Sequence, residues 1–258
     1  MAITFDASSA HGSITQSTGS FSWSHAGGTP EGVIVFTFTY AELMDLEGNN
    51  ISSVTYGGTS LTAVTSGEAE LDSGQSQSGN GYNCKAWFLG SGIATGTQTV
   101  VVNRTNNTKK IWAVAITVNS SQNSATHDAG IVLLQGDGTI SEQSVTDGSS
   151  GTGNSLRVAG IIALNTYFGT VLDDPPAFDT LYPGANSTYR HGIGGFNSFG
   201  GTCAMVVTET ATGTGPRNIG FVGDSSERTA VHLAIKDVSG NLTVVKDMIG
   251  RGIIPFKR

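Results

Sequence analysis

The feature that most restricts how this chain can fold is a rhythm of short apolar or alternating runs, broken by turn-forming residues roughly every ten positions. Strands are expected over residues 20–24, 32–40, 52–56, 84–89, 97–103, 111–119, 131–135, 156–165, 203–209, 218–223 and 229–238. Turns are expected at Gly58-Thr59, Gly136-Asp137-Gly138 and Gly213-Thr214-Gly215. Composition points the same way: 36 glycines and 13% charged residues suit tight turns between half-buried strands, and the Ala/Glu/Lys/Leu excess of helical proteins is missing. The fold class expected is all-β, and at 258 residues one large unit can bury an adequate core without metals or disulfides.

A faint internal repeat runs without a gap from Cys84 to about Thr117 and, 119 residues later, from Cys203 to about Lys236. Cys84 falls on Cys203, Val100 and Val102 on Ile219 and Phe221, and Ala115-Ile116 on Ala234-Ile235. Each copy reads as strand, Gly/Thr turn, strand, polar hairpin (103–107 or 223–227), strand. Chance plus shared β patterning is one account. The other is a pair of similar halves packed face to face, each covering the apolar surface that the other cannot bury alone.

The net charge of −7 lacks the basic footprint of a duplex binder, so no nucleic-acid partner is expected. Met1-Ala2-Ile3-Thr4-Phe5-Asp6 has no basic n-region and apolar h-region, and no apolar run reaches the ~20 residues of a membrane-spanning helix. A soluble product of the cytosol with no membrane partner is therefore expected. Cys84 and Cys203 are too few for a disulfide framework and form no ligand cluster, so buried free thiols are expected.

Several phrases carry a family resemblance: Phe21-Ser22-Trp23-Ser24-His25, Ser53-Val54-Thr55-Tyr56-Gly57-Gly58-Thr59-Ser60-Leu61-Thr62, Ala86-Trp87-Phe88-Leu89, Trp112-Ala113-Val114-Ala115-Ile116 and Ala230-Val231-His232-Leu233-Ala234-Ile235-Lys236. Together they span about residues 5 to 237, and the Tyr-Gly-Gly phrase is the most specific. In this order they resemble a jelly-roll-like β-sandwich module of tailed-phage virion structural proteins and secreted bacterial multidomain proteins. The resemblance implies a single large jelly-roll-like sandwich, over residues 1–239, that scaffolds or binds and carries no catalytic residues. The chain departs from the secreted members in lacking an export signal and in its C-terminal arm, which favours the virion.

Chemical motifs are sparse. Gly223-Asp224-Ser225 has the look of a serine-hydrolase block but lacks the Gly-x-Ser-x-Gly elbow and a supporting histidine motif. His11, His25, His127, His191 and His232 are isolated, which argues against zinc. Asp45-x-Glu47-x-Asn49 has the alternate spacing of a calcium loop without its closing carboxylate, and Asp173-Asp174 is an acidic pair with no further ligand motif. No cofactor is expected. Trp23, Trp87 and Trp112 would suit sugar stacking if exposed in a row, yet each sits in an apolar strand and core burial is the expectation.

Two segments are candidates for partner contacts. The aromatic-rich loop from Tyr182 to His191 offers Tyr182, Tyr189 and Arg190. The extended arm, residues 240–258, is apolar and basic on an acidic protein, with Arg251, Ile253, Ile254, Phe256, Lys257 and Arg258 as its contact residues. Exposed Ile253, Ile254 and Phe256 are a solubility liability unless they dock on the protein's own body or on a neighbour. The expected role is that of a non-enzymatic phage virion protein, a capsid decoration or cement protein. Its expected partners are a major capsid or tail protein and further copies of itself. A tail- or fibre-associated receptor-binding protein and a carbohydrate-binding module are the alternatives.

Overall fold

The computed structural model describes residues 3–13, 19–41, 51–71, 75–76, 79–105, 110–120, 124–127, 131–146, 155–165, 181–197, 200–209 and 215–237. The arm from residue 240, including Arg251, Ile253, Ile254, Phe256, Lys257 and Arg258, lies outside the described residues, as do Asp45, Glu47, Asn49, Asp173 and Asp174.

Among the described residues the chain is all-β, without a helix. The first half contributes β1 (Thr4–Ser13), β2 (Ser20–Ala26), β3 (Gly32–Ala41), β4 (Ile51–Tyr56), β5 (Thr59–Ser60), β6 (Thr62–Leu71), β7 (Gly81–Leu89), β8 (Thr97–Arg104) and β9 (Lys110–Asn119). The second contributes β10 (Ala125–His127), β11 (Val132–Ile140), β12 (Gln143–Val145), β13 (Ser155–Asn165), β14 (Leu181–Pro183), β15 (Ser187–Asn197), β16 (Gly200–Glu209), β17 (Arg217–Ile219) and β18 (Phe221–Asp237). All pairings are antiparallel.

Four layers result. A sheet of order β1-β9-β3-β7-β6 faces a sheet of order β10-β18-β13-β16-β15, with β11 and β14 also paired to β18. Their shared seam holds Ile34, Phe36, Phe38, Trp112 and Val114 from one side and Val158, Ile162, Val206, Val231 and Leu233 from the other. Outside the first sheet lies β2-β8-β4-β5, closing a second seam around Val35, Val54, Tyr56, Trp87 and Val100. Outside the second lies β12-β17, closing a third around Val145, Ile161, Met205, Ile219 and Phe221. The central strands are buried on both faces. That is why β3 reads as the near-continuous run Gly-Val-Ile-Val-Phe-Thr-Phe-Thr-Tyr-Ala while outer strands such as β2 alternate.

The two halves repeat one pattern. β9 lies between β1 and β3 as β18 lies between β11 and β13, and the outer pair β2-β8 corresponds to β12-β17. Trp112, Val114 and Ile116 enter the central seam, as do Val231, Leu233 and Ile235 at the 119-residue offset. Val100 and Val102 enter one outer seam, and Ile219 and Phe221 the other. The ungapped repeat nevertheless fails at its first strand. Phe36 sits between Ala86 and Val114, and its counterpart Val158 sits between Thr208 and Leu233. Ala86 therefore matches Thr208, and Cys84 matches Val206 rather than Cys203. Cys84 accordingly faces the central seam and Cys203 the opposite face of its sheet, both as buried free thiols. A side-chain period of two makes an odd register error change faces, so the Cys/Cys match was coincidental.

Two expected turns prove to be strand. Residues 136–138 form an irregularity in β11, with a register shift between Gly136 and Gly138. Residues 223–227 lie within β18, where Gly223, Asp224 and Ser225 pair with β11 and Glu227 pairs with β13, all in one sheet. The Tyr-Gly-Gly phrase, in contrast, is a two-residue hairpin turn: Tyr56 pairs with Thr59, and Gly57 and Gly58 have φ of 55° and 84°. Two successive positive φ values are what a type I′ turn demands.

The central seam is tight at Gly160, where a Cβ would stand 2.6 Å from the Phe36 ring. Gly160 occupies the place that Phe38 holds in the first half, so one large ring is accommodated by a missing side chain opposite. Gly160→Val is expected to cost about 1–3 kcal/mol by overpacking. Chemical denaturation would check this, and an unchanged midpoint would show that Phe36 can turn aside freely.

Candidate functional site

The loop entering β15 is pinned. The Glu142 carboxylate accepts hydrogen bonds from the Asn186 backbone N–H (2.9 Å), the Asn186 Nδ2 (3.0 Å) and the Ser187 hydroxyl (3.3 Å). The Gly220 N–H donates to Ser187 Oγ, and the Gly184 N–H to the Gly220 carbonyl. Of the three candidate contact residues here, Tyr182 is exposed, at 52%. Tyr189 is half-buried against the outer seam of the second half. Arg190 is turned inward: its guanidinium lies 3.7 Å from the Phe5 ring centroid, its Nε donates to Thr208 Oγ1, and its carbonyl accepts from the Ser8 hydroxyl. It ties β15 to β1 across the halves, and partial burial holds its pKa below the ordinary guanidinium value.

A polar relay crosses the outer seam of the first half. Trp23 Nε1 donates to Ser9 Oγ at 2.8 Å, and Ser9 Oγ lies 2.7 Å from His25 Nδ1. His25 Nε2 lies 3.1 Å from Thr117 Oγ1, whose hydroxyl donates to Asp6 Oδ2 at 3.0 Å. The Gly28 N–H donates to the same carboxylate oxygen. Because Thr117 spends its proton on Asp6, it accepts from His25, which places the imidazole proton on Nε2 and leaves Nδ1 to accept from Ser9. Burial lowers the His25 pKa to about 4, against the opposite pull of Asp6. Ser9, His25 and Asp6 lie in the sequence of an acyl-transfer triad, but Thr117 stands between ring and carboxylate, and an imidazole with so low a pKa is a weak base at neutral pH. Tyr56 stands edge-on to His25, and its buried hydroxyl has no partner among the described residues.

A second polar group lies in the other outer seam. Arg157, fully buried, donates through Nη1 to both Glu209 oxygens at 3.3 Å and through Nε to the Val145 carbonyl, and its Nη2 donates to the Gly215 carbonyl. Arg217 Nε adds a contact to Glu209 at 3.2 Å. Burial pushes the Glu209 carboxyl above the usual range, opposed by both guanidiniums. Nothing in the spacing of Arg157, Glu209 and Arg217 along the chain marks this group, since it is assembled by register.

Trp112 and Trp87 are buried, at 2% and 5% exposure, whereas Trp23 is half-exposed on the rim beside His11 and Phe21. The His11–Phe21, His11–Trp23 and Phe21–Trp23 ring centroids lie 5.2, 6.0 and 6.1 Å apart. Trp87 Nε1 donates to Thr37 Oγ1, and Lys85 lies over the Trp87 ring while pairing with Glu68 at 2.8 Å. Among the described residues no three of His, Cys, Asp and Glu converge as a metal centre would require. The chain matches no family model, no curated protein and no solved structure.

Proposed function

We propose that the chain is a non-enzymatic structural protein of a tailed-phage particle, a capsid decoration or cement protein held by subunit contacts and its C-terminal arm. The observation that carries this reading is the destination of the polar chemistry. Glu142, Glu209, Arg157, His25 and Arg190 all spend their hydrogen bonds on pinning strands and layers to one another. Such a body suits a rigid scaffold better than a reaction vessel. Strand order favours the resemblance: β1-β9-β3-β7, with β6 added at the edge, against β2-β8-β4-β5 is compatible with two jelly-roll sheets, and the second half follows it in outline. Tyr182 then presents one exposed aromatic contact on a pinned loop. The arm's Ile253, Ile254 and Phe256 would be buried by a neighbour, at about 1.5–3 kcal/mol each before ordering costs. Repetition over many subunits turns a modest contact into firm attachment. Arg251, Lys257 and Arg258 would steer the arm towards an acidic partner, so attachment should weaken with salt.

Deleting residues 240–258 tests this directly. The truncated protein should keep its melting temperature and lose binding to expanded capsids. A truncated protein that still binds them fully would refute the anchoring role. The half-exposed Trp23, with Phe21 and His11, gives a carbohydrate-binding module its one specific support, and retention on soluble polysaccharide instead of capsids would establish that alternative.

A further inference from the structure

The central seam joins the two halves as a two-fold interface joins identical subunits. β6 pairs with β7 as β15 pairs with β16, so β6 is the counterpart of β15, and β1 is the counterpart of β11. β1 lies against β15, and β6 lies against β11. The seam therefore has two equivalent corners, and the differences between them separate what folding needs from what it does not. The corner between β1 and β15 is closed. Arg190 covers the Phe5 ring at 3.7 Å, its carbonyl accepts from the Ser8 hydroxyl, and Phe5 and Ala10 are partly buried against the seam.

The corner between β6 and β11 differs in two ways. Gly12 stands opposite Trp112 in the first corner, and the matching residue here, opposite Val231, is Leu133. Leu133 is 43% exposed, one of two large apolar side chains so exposed among the described residues. Carboxylates flank it. Ala69 of β6 faces the seam, and on the opposite face of that strand Asn83 Nδ2 donates to Glu68 Oε1 at 2.9 Å and to Glu70 Oε2 at 3.1 Å. Lys85 pairs with Glu68 at 2.8 Å, yet 37% of the Glu68 side chain stays in solvent. Register puts Tyr189 and Gly192 at the corresponding places in β15, so the same sheet edge forms without either carboxylate.

An apolar spot flanked by carboxylates repels a second corner of its own kind and suits a segment that is both apolar and basic. The chain has such a segment. Residues 240–258 carry Lys246, Arg251, Lys257 and Arg258 against Asp247, a net +3, which leaves −10 on residues 1–239, and Ile253, Ile254 and Phe256 stand among the cations. Residues 241–245, Asn-Leu-Thr-Val-Val, have no place as a hairpin partner of β18, because Thr126 and Ser155 already pair with Lys236 from either side. We infer that the β6–β11 corner of one copy seats the C-terminal arm of a second copy, with Ile253, Ile254 and Phe256 covering Leu133 while Arg251, Lys257 and Arg258 lie beside Glu68 and Glu70. This rests on the reading of the arm as an anchor held by a neighbour, and it names the neighbour. Such a contact is heterologous, so it links copies head to tail into a ring or an open chain.

Disulfide trapping in the full chain tests this, since Cys84 and Cys203 are buried. Heavy-isotope protein with Leu133→Cys is mixed with ordinary protein carrying Ile253→Cys, Ile254→Cys or Phe256→Cys, and mass spectrometry reads links between heavy and light chains, which only two copies can make. The expected result is a heavy-to-light link whose yield rises with protein concentration. Adding Glu68→Gln and Glu70→Gln should lower that yield about fivefold, as loss of two solvent-exposed ion pairs requires. Added salt should lower it in the unaltered corner too, which serves if the Gln variant does not fold. A single chain with both cysteines that closes on itself, while the mixture stays unlinked, would place the arm on its own body and overturn the inference. No link in either experiment would also overturn it, as would a yield indifferent to the two carboxylates and to salt. Capsid binding is read separately: if it is lost on deleting residues 240–258 although no link forms, the arm still anchors and its seat is on the capsid protein. A link that forms while the truncated protein binds capsids fully would keep the seat and refute the anchor.

Discussion

Glu209→Ala is expected to remove about 3–5 kcal/mol of folding stability, because it leaves Arg157 charged, fully buried and without its counter-ion. Arg157 has no surface exposure and Glu209 has 2%. The carboxylate binds the guanidinium of Arg157 and also its backbone N–H, at 2.9 Å, so the substitution strips two donors at once. Arg217, partly exposed, can turn to water and loses less. The first half shows what the fold itself requires at this place. Val35 pairs with Trp87 there, at the positions matching Arg157 and Glu209. An apolar pair of adequate volume serves that half, so Arg157→Met with Glu209→Leu is expected to cost far less than Glu209→Ala alone. Denaturant melts of the three proteins would check the order. A double variant as damaged as the single one would mean that the Val145 and Gly215 carbonyls, not the ion pair, depend most on Arg157.

Much of the fold was legible because burial writes itself into composition. The strands with dense β-branched and aromatic residues, β3, β7, β9, β13, β16 and the end of β18, are those buried between layers, and their positions followed from sequence within a few residues. The strands that escaped notice have physical reasons for doing so. β1, Thr-Phe-Asp-Ala-Ser-Ser-Ala-His-Gly-Ser, is an edge strand rich in small polar residues, with a register shift between Phe5 and Ala7 that spoils alternation. β6 bulges between Ala63 and Glu68, with Ser66 at a φ of 59°. β15 is glycine-rich and shifts register between Tyr189 and His191. A bulge adds a residue that pairing ignores, so a period-two reading fails where the strand continues.

The polar sites were less legible, because each is closed by register rather than by spacing. His25 meets Ser9 and Thr117, 16 and 92 residues away, only after β2 and β9 are brought against β1. Arg157 and Glu209, 52 residues apart, meet because β13 and β16 are neighbours. The repeat did hint at such an arrangement. Once its register is corrected, a charged or histidine residue standing opposite an apolar counterpart marks the places where one half departs from what folding alone needs.

The three tryptophans divide by layer, and their substitutions should divide in the same way. Trp112 lies in the central seam at 2% exposure, pairs across the sheet with Phe38, and packs where the five-stranded and seven-stranded sheets meet. Trp112→Ala is expected to cost about 3–5 kcal/mol, the transfer loss adding to a cavity that two sheets buried on both faces cannot collapse around. Its indole N–H has no partner among the described residues, so Trp112→Phe gives up an unpaired donor along with volume and should stay within about 1.5 kcal/mol of the parent. Trp23 sits partly buried on the rim, and Trp23→Ala should cost clearly less than Trp112→Ala, chiefly through lost contact with His11 and Phe21 and the freed Ser9 hydroxyl. Urea melts followed by circular dichroism would measure all three changes, with an unchanged m-value confirming that stability alone has moved. Equal losses for Trp23→Ala and Trp112→Ala would place the rim in the core and remove the cluster of Trp23, Phe21 and His11 as a surface for a sugar. A Trp23→Ala protein that melts like the parent yet loses retention on polysaccharide would instead make that rim the binding site, and the virion reading would give way to the carbohydrate-binding one.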